Sequence, residues 1–265
     1  SERMQRWPNV VGVFAATPPT GCAMEYDGTK HQMLARVLAG YMDHPNVGGC
    51  LLIGLGCEQT TAGYLGKHHG VVSLYAPGGQ QLTRDDGIPM LTMQSEGGTT
   101  ATINKAEALL VGLLDRANHV SRSPADASHL CVAMECGGSD GYSGLTANPA
   151  VGVVSDRFVA CGGTSVLSET TELYGAEHLL VRRSRSPEVA AKLLARIAWW
   201  KEHVAMFGGQ LDNNPSMGNK AGGLTTITEK SLGAVSKSGS TALEQVYQYA
   251  ERIDSRGLVV MDSPG

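Results

Sequence analysis

Residues 129–150 read HLCVAMECGGSDGYSGLTANPA, and this stretch decides the fold. The apolar run at residues 130–134 predicts a short buried strand. A loop with four glycines follows it, and Asn148-Pro149 predicts the start of the next helix, where proline is favoured. A strand that passes through a short loop into a helix is typical of a parallel α/β sheet.

The loop after this strand carries reactive side chains on a backbone that can approach a ligand closely. It holds the thiol of Cys136, the carboxylate of Asp140 and the hydroxyls of Ser139 and Ser143. Ligands of open parallel sheets bind at the carboxyl ends of the strands. The alternative is a plain glycine-rich turn with a buried cysteine, and the loop alone leaves both interpretations open.

The rest of the chain repeats the alternation of strands and helices. Apolar runs that end in turn residues predict strands at residues 10–16, 50–55, 71–75, 89–93, 165–167 and 258–261, with a surface loop at 77–87. Helical spacing of apolar residues predicts helices at residues 29–42, 99–116, 149–160, 172–181 and 187–206, with two shorter ones after residue 220. We therefore expect an α/β fold with a mostly parallel, Rossmann-like sheet and helices on both faces.

Composition narrows the class of protein. A net charge of -4, a pI near 6.1 and the lack of a basic cluster disfavour a nucleic-acid partner. No apolar run reaches the roughly 18 residues that a membrane span needs, so no membrane partner is expected. The first seven residues have no signal-peptide pattern, which predicts a cytoplasmic protein.

The extent of the chain also gives an expectation. At 265 residues it can form one domain or two closely joined ones, and no internal boundary is readable. The chain stops at Pro264-Gly265, directly after a predicted strand. We expect residues 1–265 to be a catalytic region from a longer polypeptide.

Three cysteines occupy equivalent places in the sequence. Cys22, Cys57 and Cys136 each follow a predicted strand, and each has a glycine beside it. If the strands are neighbours, the thiols converge on one edge and suit iron, an iron–sulfur cluster or zinc. The alternative is that they are small buried residues at tight turns.

Carboxylates form a second group near predicted strand ends. This group comprises Glu58, Asp140 and Glu169, with Glu172 and Glu177 just beyond. Such carboxylates bind a divalent cation or remove a proton next to a substrate carboxylate. Glu172 is also explained as an acidic residue at a helix start, whereas Glu169 stands directly at a strand end.

The polar segment at residues 213–223 carries one cation, Lys220, ahead of a predicted helix. Helix-entry amides and a lysine make a site suited to a carboxylate or a phosphate. The glycine spacing differs from that of a P-loop, and no GxGxxG motif follows a strand. We therefore expect no nicotinamide cofactor.

Together these stretches resemble the altronate/galactarate dehydratase family of sugar-acid hydro-lyases. The matching segments are Thr20-Gly21-Cys22, His44-Pro45-Asn46, Gly54-Leu55-Gly56-Cys57-Glu58, Glu135-Cys136-Gly137-Gly138-Ser139-Asp140-Gly141, Thr146-Ala147-Asn148-Pro149, Tyr174-Gly175-Ala176-Glu177, Asn214-Pro215-Ser216 and Gly218-Asn219-Lys220-Ala221-Gly222-Gly223. They occur in the family's order and cover nearly the whole chain from residue 8. Members of the family have in addition a small β-rich N-terminal domain and a C-terminal continuation.

The resemblance implies dehydration of a sugar acid to a 2-keto-3-deoxy acid, assisted by Fe²⁺ or another divalent metal. It also implies a small-molecule substrate and a homo-oligomer. The metal ligands would be Cys22, Cys57 and Cys136. The base would be Glu169 or Glu177.

Substrate contacts follow from the same resemblance. Lys220 and Asn219 would hold a substrate carboxylate. Asp140, among the catalytic residues, and Ser139 would bond to substrate hydroxyls, and Asn148 would bind substrate as well. Two other functions stay open. One is a sulfo-lyase that eliminates sulfite from a sulfonated hydroxy acid, and the other is a non-catalytic binding or dimerisation module.

Overall fold

The computed structural model describes residues 5–18, 21–70 and 88–264. The chain divides into two compact units, Ser1–Ser123 and Pro124–Gly265, at a boundary that the sequence left open. The strand predicted at residues 71–75 and the loop predicted at 77–87 lie outside the described residues. In the described part, no helix is both long enough and apolar enough to cross a membrane.

The first unit combines four helices and two strands in its described part. The helices are α1 (Thr29–Met42), α2 (Ala62–His69), α3 (Met93–Glu96) and α4 (Thr99–Asn118), and the strands are β1 (Leu52–Gly54) and β2 (Met90–Thr92). The two strands run parallel, with Leu52 opposite Met90. Ala35 and Ala39 of α1 pack on Tyr64 and Leu65 of α2 to form a buried cluster.

The strand predicted at residues 10–16 is wrong. This segment has no regular structure, and the side chains of Val11 and Phe14 are 98% and 85% exposed. An apolar run becomes a strand only where a neighbouring strand pairs with its backbone groups. No strand in the described residues pairs with this segment.

The second unit contains a four-stranded sheet whose strands are all parallel. The strands are β3 (Cys131–Met134), β4 (Thr164–Leu167), β5 (Leu243–Tyr247) and β6 (Gly257–Met261), in the order β3-β4-β6-β5. Met134 of β3 lies opposite Leu167 of β4, which lies opposite Val260 of β6. The strands therefore end at one common edge of the sheet.

Five α-helices and three 3₁₀ turns complete the described second unit. The helices are α5 (Ala147–Ala160), α6 (Glu177–Val181), α7 (Pro187–Met206), α8 (Met217–Ala221) and α9 (Ile227–Ser236), and the turns are Ala127–His129, Thr170–Leu173 and Leu211–Asn213. Leu167, Leu193, Val235, Leu243 and Leu258 belong to one buried cluster that joins α7 and α9 to the sheet. Helices packed with parallel strands confirm the α/β class. The closer likeness to a Rossmann sheet, with helices on both faces, stays a prediction.

The helix predicted at residues 172–181 is divided in two. The 3₁₀ turn Thr170–Leu173 is separated from α6 by Gly175, whose φ of +89° is a left-handed conformation that favours glycine. A side chain at position 175 would also place its Cβ 2.6 Å from Oγ1 of Thr228. The chain therefore turns between the two segments.

Helices α5 and α9 approach each other closely at a glycine. A Cβ added at Gly152 would lie 2.2 Å from the carbonyl oxygen of Ser236. Gly233 of α9 makes a second close approach, since its Cβ would lie 3.2 Å from Nδ2 of Asn148. Both helices also carry polar side chains of the candidate site, so these glycines set the distance between its two walls.

Candidate active site

A carboxylate lies in the interior of the second unit, just after the end of strand β4. The strand ends at Leu167, and Glu169 follows two residues later with no solvent exposure. Lys237, at the C-terminal end of α9, places its Nζ 2.8 Å from Oε1 and 2.9 Å from Oε2 of Glu169. A buried carboxylate is thus paired with a buried ammonium group, which is 7% exposed.

The environment of Glu169 shifts its proton affinity. Burial raises the pKa of Glu169 to about 7, because the charged form loses its hydration. The hydrogen bond and charge of Lys237 lower this pKa, whereas the negative charges of Glu172 and Glu135 raise it further. A carboxylate whose pKa lies near neutrality has the proton affinity that a general base needs.

A second buried ion pair lies on the same helix. Lys230 of α9 donates from Nζ to Oε1 of Glu172 at 2.6 Å and to Oδ1 of Asn214 at 3.0 Å. Oδ1 of Asn219 is more distant, at 3.5 Å. Oε2 of Glu172 is buried and has no hydrogen-bond partner.

The glycine-rich loop after β3 packs against the segment that contains α8. Nδ2 of Asn219 donates to the carbonyl of Ser139 at 2.8 Å, and the amide of Gly141 donates to the carbonyl of Gly222 at 2.9 Å. A Cβ at Gly222 would lie only 2.9 Å from Cβ of Asp140, so the contact requires glycine there. In the same loop, Sγ of Cys136 is 3.1 Å from Oγ of Ser139.

Asp140 orders the turn that leads into α5. Its Oδ1 accepts from the amides of Tyr142 at 2.9 Å and Ser143 at 2.7 Å. This pattern is an Asx turn, in which the side chain replaces a backbone acceptor. One oxygen of Asp140 is therefore used structurally, while the residue itself is exposed.

A cavity of about 260 Å³ opens beside these groups. Its lining comes from the loop after β3, from α5 and from α9: Ser139, Asp140, Gly141, Ser143, Gly144, Leu145, Asn148, Leu224, Glu229, Lys230, Leu232 and Gly233. Three predicted site residues (Ser139, Asp140 and Asn148) thus share one cavity with Lys230. Polar groups converging in a small cavity are typical of a ligand site.

The other predicted site residues of this unit have different surroundings. Oε2 of Glu177 accepts from the amide of Gly175 at 2.5 Å, and so supports the turn before α6. Oδ1 of Asn219 accepts from the amide of Ser216 at the start of α8. Lys220 is exposed and does not line the cavity. Their roles toward a substrate stay predictions.

In the first unit, the loops that carry Cys22 and Cys57 adjoin. Nε2 of Gln59 donates to the carbonyl of Cys22 at 3.1 Å, which joins the two loops. Both cysteines are exposed and are not in disulfides. Oε2 of Glu58 accepts from the amide of Gly56 at 2.6 Å and fixes the turn after β1. Thr20 of the predicted motif lies outside the described residues.

Comparison with known proteins assigns the family. The family model described as D-galactarate/Altronate dehydratase, C-terminal, matches residues 127–265. The model described as D-galactarate dehydratase/Altronate hydrolase, second domain, matches residues 1–118. The chain belongs to the D-galactarate/altronate dehydratase family. Its two family regions coincide with the two structural units.

Similar proteins within and beside this family have named reactions. The altronate dehydratase of Escherichia coli is 35% identical over 96% of this chain, and the galactarate dehydratase (L-threo-forming) of the same organism is 37% identical over 83%. The (2R)-sulfolactate sulfo-lyase subunit beta of Chromohalobacter salexigens is 32% identical over 96% of the chain. The chain spans about half the length of these relatives, 48%, 41% and 62% respectively.

The metal that the family resemblance implies has partial support from the donor chemistry. Two free thiols on adjoining loops of the first unit suit a soft or borderline metal. Among the described residues of either unit, no three His, Cys, Asp or Glu side chains are grouped closely enough to hold a metal ion. Cys136 belongs to the second unit, and the three-thiol site stays a prediction.

Sequence reasoning missed the two lysines that pair with the buried glutamates. Lys230 and Lys237 are seven residues apart, or about two helical turns, and so lie on one side of α9. Ile227 and Ala234, which are also seven residues apart, are buried on this helix too. The signal in the sequence was the spacing of the two lysines, which is the same as that of buried residues of this helix. A lysine on the buried side of a helix requires a charged partner.

Proposed function

We propose that the protein is a hydro-lyase that removes water from a sugar acid of the altronate or galactarate type. The product would be the corresponding 2-keto-3-deoxy sugar acid. The observation that carries this proposal is the buried Glu169, which has a pKa near 7 and stands at the end of a strand in a member of a dehydratase family.

The reaction requires a base next to the substrate carboxylate. The base removes the proton from the carbon that bears the carboxylate, and that electron pair forms a carbon–carbon double bond. The hydroxyl on the adjacent carbon leaves and, with a proton, becomes water. The resulting enol then tautomerises to the 2-keto acid.

We assign the role of base to Glu169 rather than Glu177. The deprotonated form of Glu169 accepts the proton, and Lys237 holds both of its oxygens in place until the transfer. One oxygen of Glu177 instead accepts from the amide of Gly175 and supports the turn before α6. Ser139 and Asn148 offer hydrogen bonds to substrate hydroxyls from the cavity walls.

A bound divalent metal would supply Lewis-acid stabilisation of the departing hydroxyl or the substrate carboxylate. Cys22 and Cys57 are the residues of the first unit that we propose to hold it. Thiolates are readily oxidised, so the metal-loaded protein has to be kept under reducing conditions.

The test uses the complete polypeptide encoded by the gene, purified anaerobically and supplied with Fe²⁺. Altronate and galactarate are each expected to yield a 2-keto-3-deoxy acid, detected by the absorbance of its semicarbazone. E169Q is expected to lose this activity, whereas E202Q, which changes an exposed glutamate of α7, is expected to retain it. If E169Q retains full activity, Glu169 is not the base.

The same preparation separates the sulfo-lyase alternative. The similarity to a sulfo-lyase subunit favours testing sulfolactate in parallel, with released sulfite as the product measured. Sulfite release without any dehydration of either sugar acid would refute the hydro-lyase proposal. Binding of sugar acids without release of water or sulfite would support a non-catalytic module.

A further inference from the structure

The two sequence neighbours of Glu169 are both bonded to one residue, Ser263, which follows strand β6. Oγ of Ser168 donates to Oγ of Ser263 at 3.1 Å. The amide of Thr170 donates to the carbonyl of Ser263 at 3.1 Å, and the amide of Ser263 donates to Oγ1 of Thr170 at 3.2 Å. Thr170 is fully buried and Ser263 is 5% exposed. The backbone on both sides of Glu169 is therefore fixed to the end of β6 by bonds that water does not reach.

These bonds continue the pairing of β4 with β6 beyond the ends of the two strands. Thr170 and Ser263 have the same separation in sequence as Leu167 and Val260, which pair within the sheet. At Glu169 the backbone leaves the strand conformation, with a φ of −159° and a ψ of 58°. Oγ1 of Thr170 accepts from a backbone amide in place of a carbonyl, as threonine hydroxyls do in turns. The hydroxyl of Thr170 thus keeps the two chains paired past the turn at Glu169.

We propose that Thr170 is a positioning residue, which through Ser263 holds the carboxylate of Glu169 against Lys237 for proton transfer. This inference rests on the proposed function, in which Glu169 is the base, and it adds the group that orients the base. Nζ of Lys237 lies 2.8 and 2.9 Å from the two carboxylate oxygens, and a small displacement of Glu169 would lengthen both bonds. Misplacement of a reacting group by about 1 Å can lower a rate by roughly 100-fold.

The charged groups around this segment determine how a displacement would be detected. Burial raises the pKa of Glu169, Lys237 lowers it, and the charges of Glu172 and Glu135 raise it further. Asp262, beside Ser263, instead accepts from Nε1 of a tryptophan of α7 at 2.8 Å and pairs with an arginine of the same helix. Lys237 is the group bonded to the carboxylate itself, so a looser contact weakens its effect. Displacement of Glu169 within the interior should therefore raise this pKa.

The decisive variant is T170V, because valine has nearly the shape of threonine and lacks the hydroxyl that accepts from Ser263. We expect kcat with altronate to fall roughly 10- to 100-fold, with less than about a threefold change in KM. T170S keeps the hydroxyl and should stay within about threefold of the unmodified protein. T164V is the matched control, since Thr164 is buried at the opposite end of β4, where its Oγ1 donates to the carbonyl of Ser255 at 3.3 Å.

Infrared spectroscopy measures the protonation of Glu169 without turnover. The anaerobic, Fe²⁺-supplied complete protein is titrated with acid, and the C=O band of a protonated carboxyl that E169Q lacks reports Glu169. The midpoint of this titration should move to higher pH in T170V and stay in place in T170S and T164V. S263A removes the contact with Ser168 and keeps both backbone bonds, so it should give a smaller shift in the same direction. It decides the test if circular dichroism shows that T170V does not fold.

Three results overturn the assignment. An unchanged midpoint in T170V, or in S263A where T170V is unfolded, excludes a hold of Thr170 and Ser263 on the carboxylate. An equal shift in T164V would assign the effect to the loss of any buried hydroxyl of β4. A shift in T170S as large as that in T170V would exclude the hydroxyl as its cause. If the midpoint moves as expected but altronate and galactarate release no water, the proposed function fails, while the hold of Thr170 on Glu169 is supported.

Discussion

Two lysine–glutamate pairs lie along helix α9, and they differ in how completely they are closed. Lys237 bonds to both oxygens of Glu169, and neither residue lines the cavity. Lys230 bonds to one oxygen of Glu172 and leaves the other without a partner, and the residue is part of the cavity lining. The same residue types thus form one closed pair and one open pair.

The difference shows that two ion pairs of the same residue types can have different roles in one fold. In the closed pair, the lysine bonds to both oxygens of the carboxylate. It therefore acts on the proton affinity of that carboxylate. In the open pair, the lysine bonds to one oxygen of the glutamate, and the other oxygen of that carboxylate has no hydrogen-bond partner. We therefore expect changes in the closed pair to alter the chemical step and its pH dependence, and changes in the open pair to alter folding stability.

The largest effect is expected from E169Q. Removal of a general base lowers the rate of proton transfer by roughly 100- to 10,000-fold, so kcat should fall by that factor with altronate as substrate. The KM should change by less than about threefold, because a general base acts on the proton transferred in the transition state and contributes little to substrate binding. Steady-state kinetics measure both quantities. A rise in KM with unchanged kcat would remove the distinction between the two pairs.

Removal of one partner of the open pair should lower folding stability. K230Q leaves a buried carboxylate without its ion partner, which costs about 3–5 kcal/mol in the free energy of unfolding. E172Q/K230Q has no unpaired charge and should recover most of this loss. Urea denaturation followed by circular dichroism gives the free energies. If the double variant is as unstable as K230Q, the pairing of the two charges is not the cause.

The closed pair should determine the pH below which kcat/KM falls, the acid limb of its pH profile. Deprotonated Glu169 is the active form, so kcat/KM should fall as the pH drops below the pKa of about 7. Lys237 lowers this pKa through its hydrogen bond and charge. K237Q removes that effect, and the acid limb should therefore move to higher pH. A limb that stays in place in K237Q would assign it to another group.

An exposed ion pair should show the smallest effect. Lys105 and Glu96 pair in the first unit, where the side chain of the lysine is 58% exposed and that of the glutamate 16%. Solvent screens such a pair, so E96Q should change the free energy of unfolding by less than about 1 kcal/mol. Urea denaturation measures this difference beside the K230Q value. Equal losses in the free energy of unfolding of E96Q and K230Q would show that burial does not determine how much an ion pair contributes.

Much of the fold was predictable because local patterns agree with tertiary packing. Helices at residues 29–42 and 187–206 have the bounds that apolar spacing and their end residues predict. Strand β5 was missed, and the predicted strand at residues 10–16 does not form. Strand formation depends on a partner that is distant in sequence, and neither case could be judged from the run of residues itself.

The candidate site was predictable where a loop supplies several groups at once. Ser139, Asp140 and Asn148 were named from one motif, and the structure places them in one cavity. Glu169 was named from its place at a strand end, and in the structure it is buried. Lys230 and Lys237 were missed, because their partners are 58 and 68 residues away in sequence. Only the packing of α9 on the Glu169–Leu173 segment brings each lysine to its glutamate.

The crossing of α5 and α9 at Gly152 has a consequence for how this protein can change its substrate. Asn148 and Lys230 stand on opposite walls of the cavity, and the helices that bear them touch where no side chain intervenes. A methyl group at position 152 would push α5 and α9, and with them the two cavity walls, apart without contacting a ligand. The size of ligand that the cavity accepts can therefore change through the spacing of these two helices, without a change in any residue that binds the ligand.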